Sequence, residues 1–514
     1  KWFWMGPFVR TRKAILLLRK SWQDLLSYTR AMPTMATPPM DVDFALSIML
    51  IGSVAFVLTL FYLLNSQDVD IKRFSWGVLS GSICTFMGVR LGTAYNACWS
   101  FYVAGPDASL ESQIMAFGVL AIGWYLLLQF ILAYWCGLLT GKHDPDFKAL
   151  VLNLKCWAVM LGVVTGSSSM SFFSLIQEYE KSNLVILYSM PLFTFLVLTL
   201  IYHLGDSARH HVASLDGHID DFEEAFDRFS DETEDVVIGL AVSHVITQTL
   251  RFSLTGTLPA PTGASRPGTE VEYRDIVSLA SSSIVYVILF LACEQCIPKS
   301  WGRLKKRFKM ILANCVAFAL FYSFTWFALT VLELQGPAQG LVVALGVTWG
   351  GFAVMVFLDK LADLDCTGPV FDQNLRNLVM PISTLIGFGW KGAFADAGAS
   401  LVQKVHWFPA PLEQAILAVF LLSVILPAWR LYILPKVMYD YMKQVKKKKL
   451  LDAEGRYLEV VLDEELDKCL DKLESIVTSY PSERHTHHKA IVLELERLRK
   501  ISENIVQDAA KMQP

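Results

Sequence analysis

Three polar side chains in an otherwise apolar stretch, His244, Gln248 and Arg251, follow one another at i, i+4 and i+7. That spacing puts all three on one face of a helix. Together they offer hydrogen bonds, a fixed positive charge and a ring that titrates near neutral pH. These are the ingredients of a gate or a proton relay, and equally of a hydrogen-bonded seam between helices. Ser243 and Thr247 lie beside this face. A basic residue in apolar surroundings recurs at Arg90 and Lys391, and each of the three cations stands eight positions after a serine: Ser82, Ser243 and Ser383. Asp396 follows Lys391 five positions on and is a candidate partner for it. A cation stranded at the bilayer centre costs at least about 2.5–3.5 kcal/mol. Three at matched spacing therefore imply either a shared, protein-enclosed polar environment that binds or gates an anion, or separate snorkelling to water.

The elements that carry these groups follow from composition. The 514 residues are 54% apolar, 12% aromatic and 18% charged, with a net charge of −3 and a mean hydropathy of +0.41. Soluble domains carry about 25% charged residues. The balance excludes a disordered chain, a collagen-like fibre, a coiled-coil rod and a disulfide scaffold, and it argues against a large soluble enzyme. A bilayer core of about 30 Å needs roughly 20 apolar residues in a helix. Eleven runs qualify: 44–65, 74–103, 113–140, 148–175, 184–205, 235–257, 276–298, 309–333, 339–358, 376–402 and 412–435. The expected fold is all-α, a polytopic transmembrane helical bundle; strand alternation is absent, which rejects a β-barrel. Residues 1–40 form an N-terminal amphipathic segment on the membrane surface. Residues 41–206 hold the first membrane repeat and the start of the second, 207–234 an acidic cytoplasmic insert, 235–440 the remaining repeats, and 441–514 a cytoplasmic helical hairpin.

Orientation follows the positive-inside rule. Lys72, Arg73, Lys142, Lys148, the run from Lys299 to Lys309 and the run from Lys443 to Lys449 fall on one side, while Lys181, Arg266, Arg274 and Lys404 fall on the other. The first side, with the C-terminus, is expected to be cytoplasmic. Residues 1–30, rich in Lys and Arg, then lie on the wrong side for eleven spans. Either they depart from the rule or one span escapes the count; the chain does not begin with Met, which leaves room for an upstream segment. The three cations stand roughly 17 residues into their spans, about 25 Å from the cytoplasmic face at 1.5 Å per residue, in the outer third of the bilayer.

The serine-to-cation pattern in the second, sixth and tenth runs implies a four-helix unit used three times, its last copy lacking one helix. The endings Tyr62-Leu63-Leu64-Asn65 and Tyr202-His203-Leu204-Gly205 agree with this, as do the openings Phe147-Lys148 and Phe308-Lys309. Thr165, Ser167, Ser168, Ser169 and Ser171 in the fourth run fit helix-to-helix hydrogen bonding better than a pore.

Outside the spans, Asp216 to Glu223 resembles the second half of a Ca²⁺-binding helix–loop–helix, but Val212 at the first ligand position has no side-chain oxygen. The stretch reads instead as an acidic amphipathic helix with a Phe222, Phe226, Phe229 stripe, facing the basic loop 299–309. Arg228-Phe229-Ser230-Asp231 resembles the Arg-x-x-Phe-Ser-Asp signature of an endolysosomal cation-channel family. There it opens a six-helix repeat; the four-helix unit here and an Arg only two residues before Ser230 leave that family unassigned. Cys293 and Cys296 form a lone CxxC with no partner pair, so no metal site follows. Voltage-sensor, potassium-filter and phosphate-loop patterns are absent. The hairpin carries stripes at Leu458, Leu462, Leu466 and at Ile491, Leu495, Leu498. It suits homo- or hetero-oligomer formation, with Lys446, Lys447, Lys448 and Lys449 against anionic lipid.

The reading that results is an integral membrane channel or transporter for ions or small solutes, with neither catalytic residues nor a cofactor, metal or nucleic-acid partner. Its polar path in the outer part of the bilayer is expected at Arg90, Arg251, Lys391, His244, Gln248, Ser82, Ser243, Ser383 and Asp396. The alternative is a structural or assembly subunit of a larger membrane complex.

Overall fold

The computed structural model describes residues 42–105, 107–139, 147–213, 221–266, 268–362, 375, 377–405 and 407–438. The N-terminal segment 1–40, the hairpin 441–514 with Lys446 to Lys449, and the stretch 214–220 lie outside them. All regular structure in the described residues is helical. The chain divides into two compact units, residues 1–59 and 60–514. The described part of the first is the beginning of helix α1 (Val42–Leu64), where the Thr59 hydroxyl donates to the Ala55 carbonyl at 2.9 Å.

Among the described residues the second unit holds ten further α-helices: α2 (Val69–Trp99), α3 (Leu110–Trp135), α4 (Phe147–Tyr179), α5 (Leu184–Ala213), α6 (Asp221–Thr255), α7 (Tyr273–Cys296), α8 (Gly302–Thr330), α9 (Gly336–Ala362), α10 (Met380–Val405) and α11 (Ala410–Ala428). Their starts are set by local chemistry. Asp68 accepts the Asp70 and Ile71 amides ahead of α2 at 3.0 and 3.3 Å, Ser109 accepts the Ser112 amide ahead of α3 at 3.3 Å, and Glu272 with Asp275 forms a reciprocal capping box on α7. Among the described residues eight helices, α3 to α9 and a run continuing α11 to Met438, are long and apolar enough to cross a membrane. The chain is thus a multi-pass membrane protein by helix length and composition. Helices α2 and α10, which carry Arg90 and Lys391 with Asp396, do not reach that apolarity.

Even- and odd-numbered helices play different parts. In the apolar window of each helix, 72% of residues are buried in α4 and in α6 and 61% in α8, against 17% in α3, 22% in α5 and in α7, and 11% in α11. Helix α9 is intermediate at 44%. The contacts explain the difference. α2 packs on α4, α4 on α6, α6 on α8, α8 on α10 and α10 back on α2, which closes an inner ring; α3, α5, α7, α9 and α11 lie against α4, α6, α8, α10 and α2. Bulky apolar side chains on the outer helices, such as Leu126, Leu192, Ile288 and Phe420, stay exposed, as a lipid-facing layer requires. The alternation has a period of two helices, of which the expected four-helix unit is a multiple. The stretch 207–234, expected as a separate insert, is in its described part the end of α5 and the beginning of α6. The 35 residues of α6 rise about 52 Å, well beyond a 30 Å hydrocarbon core.

Candidate functional site: a charged cavity inside the ring

A partly open cavity of about 730 Å³ lies within the helix ring, toward the end where α2, α4, α6 and α8 finish and α3 and α9 begin. Arg251 enters it from α6, and Lys391 and Asp396 enter it from α10. Thr93 and Asn96 of α2, Ser167 and Ser171 of α4, and Tyr322 and Thr325 of α8 supply neutral polar groups. Gln113 and Gln339 stand at the first turns of α3 and α9. Asn96 fixes the α2–α4 wall: its amide donates to Ser171 Oγ at 3.1 Å, and its carbonyl accepts from Ser168 Oγ at 3.0 Å.

The α6–α7 loop folds back over the same end. Leu258, Pro259 and Gly263 in it are buried. Arg251, 1% exposed, donates from Nη1 to the Gly263 carbonyl at 2.7 Å and from Nη2 to Ser265 Oγ at 3.0 Å. Its guanidinium lies 4.1 Å from the Tyr322 ring centroid and 5.2 Å from that of Trp326, whose indole N–H also donates to Ser265 Oγ at 3.1 Å. Gly263 sits at φ +84°, and a Cβ there would stand 2.1 Å from Tyr322 Oη; only glycine fits.

The α6 face predicted from spacing therefore exists and points at this loop. Gln248 donates to His244 Nε2 at 2.6 Å and lies 3.4 Å from the Ala260 carbonyl. Nδ1 of His244 is buried without a hydrogen-bond partner. His244 and Gln248 hold the loop from behind and do not line the cavity.

Of the nine residues expected on a polar path, Arg251, Lys391 and Asp396 converge on the cavity. Arg90 stands just behind it, 3% exposed and flanked by the lining residues Val89 and Thr93. A Cβ on Gly398 of α10 would lie 3.1 Å from its Nη2. Ser82 and Ser383 belong to the α2–α10 seam. There a Cβ on Gly81 would stand 2.6 Å from Ser383 Oγ, and one on Gly387 2.9 Å from the Ser82 carbonyl. Small residues at this seam let two backbones approach closely, the usual packing device of membrane helices. Ser243 spends its hydroxyl on the Gly239 carbonyl of its own helix. Sequence reasoning passed over Asn96, Gln113, Tyr322, Thr325 and Gln339. For α2 a signal was present, because Thr93, Asn96 and Ser100 run at i, i+3 and i+7 below Arg90. Gln113 and Gln339 sit at helix starts, where polar residues are common, and give none.

A second polar node lies toward the opposite end of the ring. Arg209 of α5 contacts Asp227 at 3.0 Å, Asp231 at 3.0 Å, Glu234 at 2.6 Å and Asp206 at 3.4 Å. Arg303 of α8 pairs with Asp206 at 2.8 Å and with Asp231, and the Tyr125 hydroxyl donates to Glu234 at 2.9 Å. Asp235 accepts from Arg307 at 3.0 Å and Lys306 at 2.9 Å. The acidic beginning of α6 thus meets the basic stretch 299–309, as the sequence implied, with Phe229 fully buried beside it. Asp206, His210 and Asp227 bring one ligand atom each to within 4.8 Å of one another. Both carboxylates already accept from Arg209, so a guanidinium fills the place a metal would take. Comparisons with protein-family models, with curated proteins and with solved structures find no match to this chain.

Proposed function

We propose that this protein is an integral membrane channel or transporter for ions or small solutes, and that the cavity within the ring of α2, α4, α6, α8 and α10 is its binding site. In this reading all eleven helices span the bilayer. The positive-inside bias puts the C-terminus in the cytoplasm and the cavity toward the outer face, and the hairpin 441–514 docks a second copy or a partner. One observation carries the reading: Arg251 from α6 and Lys391 with Asp396 from α10 line one cavity, beside the α6–α7 loop that folds over it. Ionisable groups in a membrane interior are costly, and they mark solute paths when they face a common hollow. Helix packing alone would be served more cheaply by the serine and glycine contacts of the α2–α10 seam.

The test is solute flux in proteoliposomes, wild type against Lys391→Gln. Lys391 makes no side-chain hydrogen bond or ion pair among the described residues, so the substitution leaves packing intact. Flux is expected to fall at least about tenfold, the effect of losing roughly 1.4 kcal/mol at the site. Equal flux in the two proteins would refute the assignment and favour an assembly subunit.

A further inference from the structure

The cavity carries an uneven set of charges, and that imbalance says what it binds. Three cations surround it: Arg251 and Lys391 in the lining, and Arg90 behind Val89 and Thr93. The carboxylate among them is Asp396. Among the described residues none of the four forms an ion pair within 4.0 Å. Nε and Nη2 of Arg90 are buried without a hydrogen bond, and so is Nε of Arg251. Arg251 donates only to neutral acceptors, a backbone carbonyl and a hydroxyl, which orient the guanidinium without cancelling its charge. Arg90 and Lys391 address the same stretch of α10: Gly398, which abuts the Arg90 guanidinium, lies seven residues, two helical turns, beyond Lys391.

Three positive charges against one negative leave two positive charges uncompensated inside a helix ring. The opposite node shows how this chain treats guanidinium groups elsewhere, since both Arg209 and Arg303 are saturated with carboxylates. An unpaired buried charge is strongly unfavourable, so the missing counter-charge belongs to whatever occupies the cavity. We infer that the cavity binds a small dianion, a dicarboxylate or an inorganic oxyanion such as phosphate or sulfate, seated between Arg251 and Lys391 with Arg90 adding its field from behind. Asn96 and Tyr322 supply neutral donors for its oxygens, and Asp396 repels a second anion. This inference rests on the binding site proposed above and adds the class of ligand.

The experiment is thermal stabilisation of the full chain in lipid nanodiscs by succinate, sodium phosphate, sodium sulfate, sodium chloride, glycine and choline, each titrated at constant ionic strength. At least one of the three dianions is expected to stabilise the protein saturably, at concentrations at least about tenfold below any effect of chloride, glycine or choline; which one it is separates dicarboxylate from oxyanion. Lys391→Gln and Arg90→Gln are expected to weaken that ligand about tenfold or more, and Asp396→Asn to tighten it. The opposite sign keeps the test decisive even if Arg90→Gln fails to fold. Glycine binding that both Lys391→Gln and Asp396→Asn abolish would overturn the inference in favour of a zwitterion, and so would dianions no better than chloride. Counterflow of the same solutes, read separately, distinguishes the two proposals: saturable dianion binding without counterflow removes transport and keeps the site, whereas cation flux without dianion binding keeps transport and removes this inference.

Discussion

Replacing Arg209 by Met removes the hub of the polar node while keeping an unbranched stem. The Arg209 side chain is 8% exposed, and Glu234, its partner at 2.6 Å, is 0% exposed. At an effective dielectric of about 20, that contact alone corresponds to about 6 kcal/mol of attraction. Much of it is offset in the native protein by the cost of stripping water from both ions. The substitution cancels the attraction but leaves Glu234 buried, and Asp206, Asp227, Asp231 and Glu234 then face Arg303 without their hub. Breaking a buried pair from one side costs about 3–5 kcal/mol. The lower end is expected here, since Tyr125 still donates to Glu234 at 2.9 Å. The loss is read as a lowered midpoint of helicity in a detergent-unfolding titration. Arg209→Met with Glu234→Gln is expected to recover about half of it, because the buried charge is gone. Raising salt from 0.1 to 0.5 M should change the penalty little, as screening acts weakly on buried ions. A cost below about 1 kcal/mol, the range of a solvated surface pair, would refute the view that this node is a buried structural clasp.

Two further substitutions probe the framework around the cavity. Gly387→Val would place a Cβ 2.6 Å from Thr85 Cβ and 2.9 Å from the Ser82 carbonyl. It should cost about 1–3 kcal/mol by overpacking α2 against α10. Gly392→Ala, on the same helix with nothing within 4 Å of the new atom, should instead gain about 0.5–1 kcal/mol from reduced chain entropy; thermal unfolding of both proteins checks the contrast. Gly263→Ala forces a side chain onto a backbone at φ +84° and against Tyr322 Oη, a strain of about 1–3 kcal/mol. It should release the α6–α7 loop, seen as faster amide exchange across 256–272; unchanged exchange there would show that Arg251 does not hold this loop.

Much of the architecture was legible because the bilayer imposes a one-dimensional rule. Backbone polar groups must be satisfied within a segment of fixed thickness, so runs of about 20 apolar residues mark helices without reference to what they touch. Each of the eleven predicted runs overlaps a helix, and α2 and α10, with Arg90, Lys391 and Asp396 along them, are less apolar than the eight clear candidates. The i, i+4, i+7 face of α6 was equally legible, because helical periodicity is local.

What the sequence could not decide is which face meets which partner. The outer helices are the more apolar, with mean hydropathies of 2.1–2.4 against 1.3–1.7 in α4, α6 and α8, so composition carries a trace of the alternation; which face of each helix meets which partner arises only from tertiary packing. The same holds for the polar residues. Arg251, Lys391 and Asp396 enter one cavity, Ser82 and Ser383 close a seam, and His244 with Gln248 braces a loop. Their residue types and spacings set the cost of leaving each unsatisfied. Only the closing of the ring, with α10 laid back on α2, brought distant segments together to meet that cost and left uncompensated positive charge facing a common hollow.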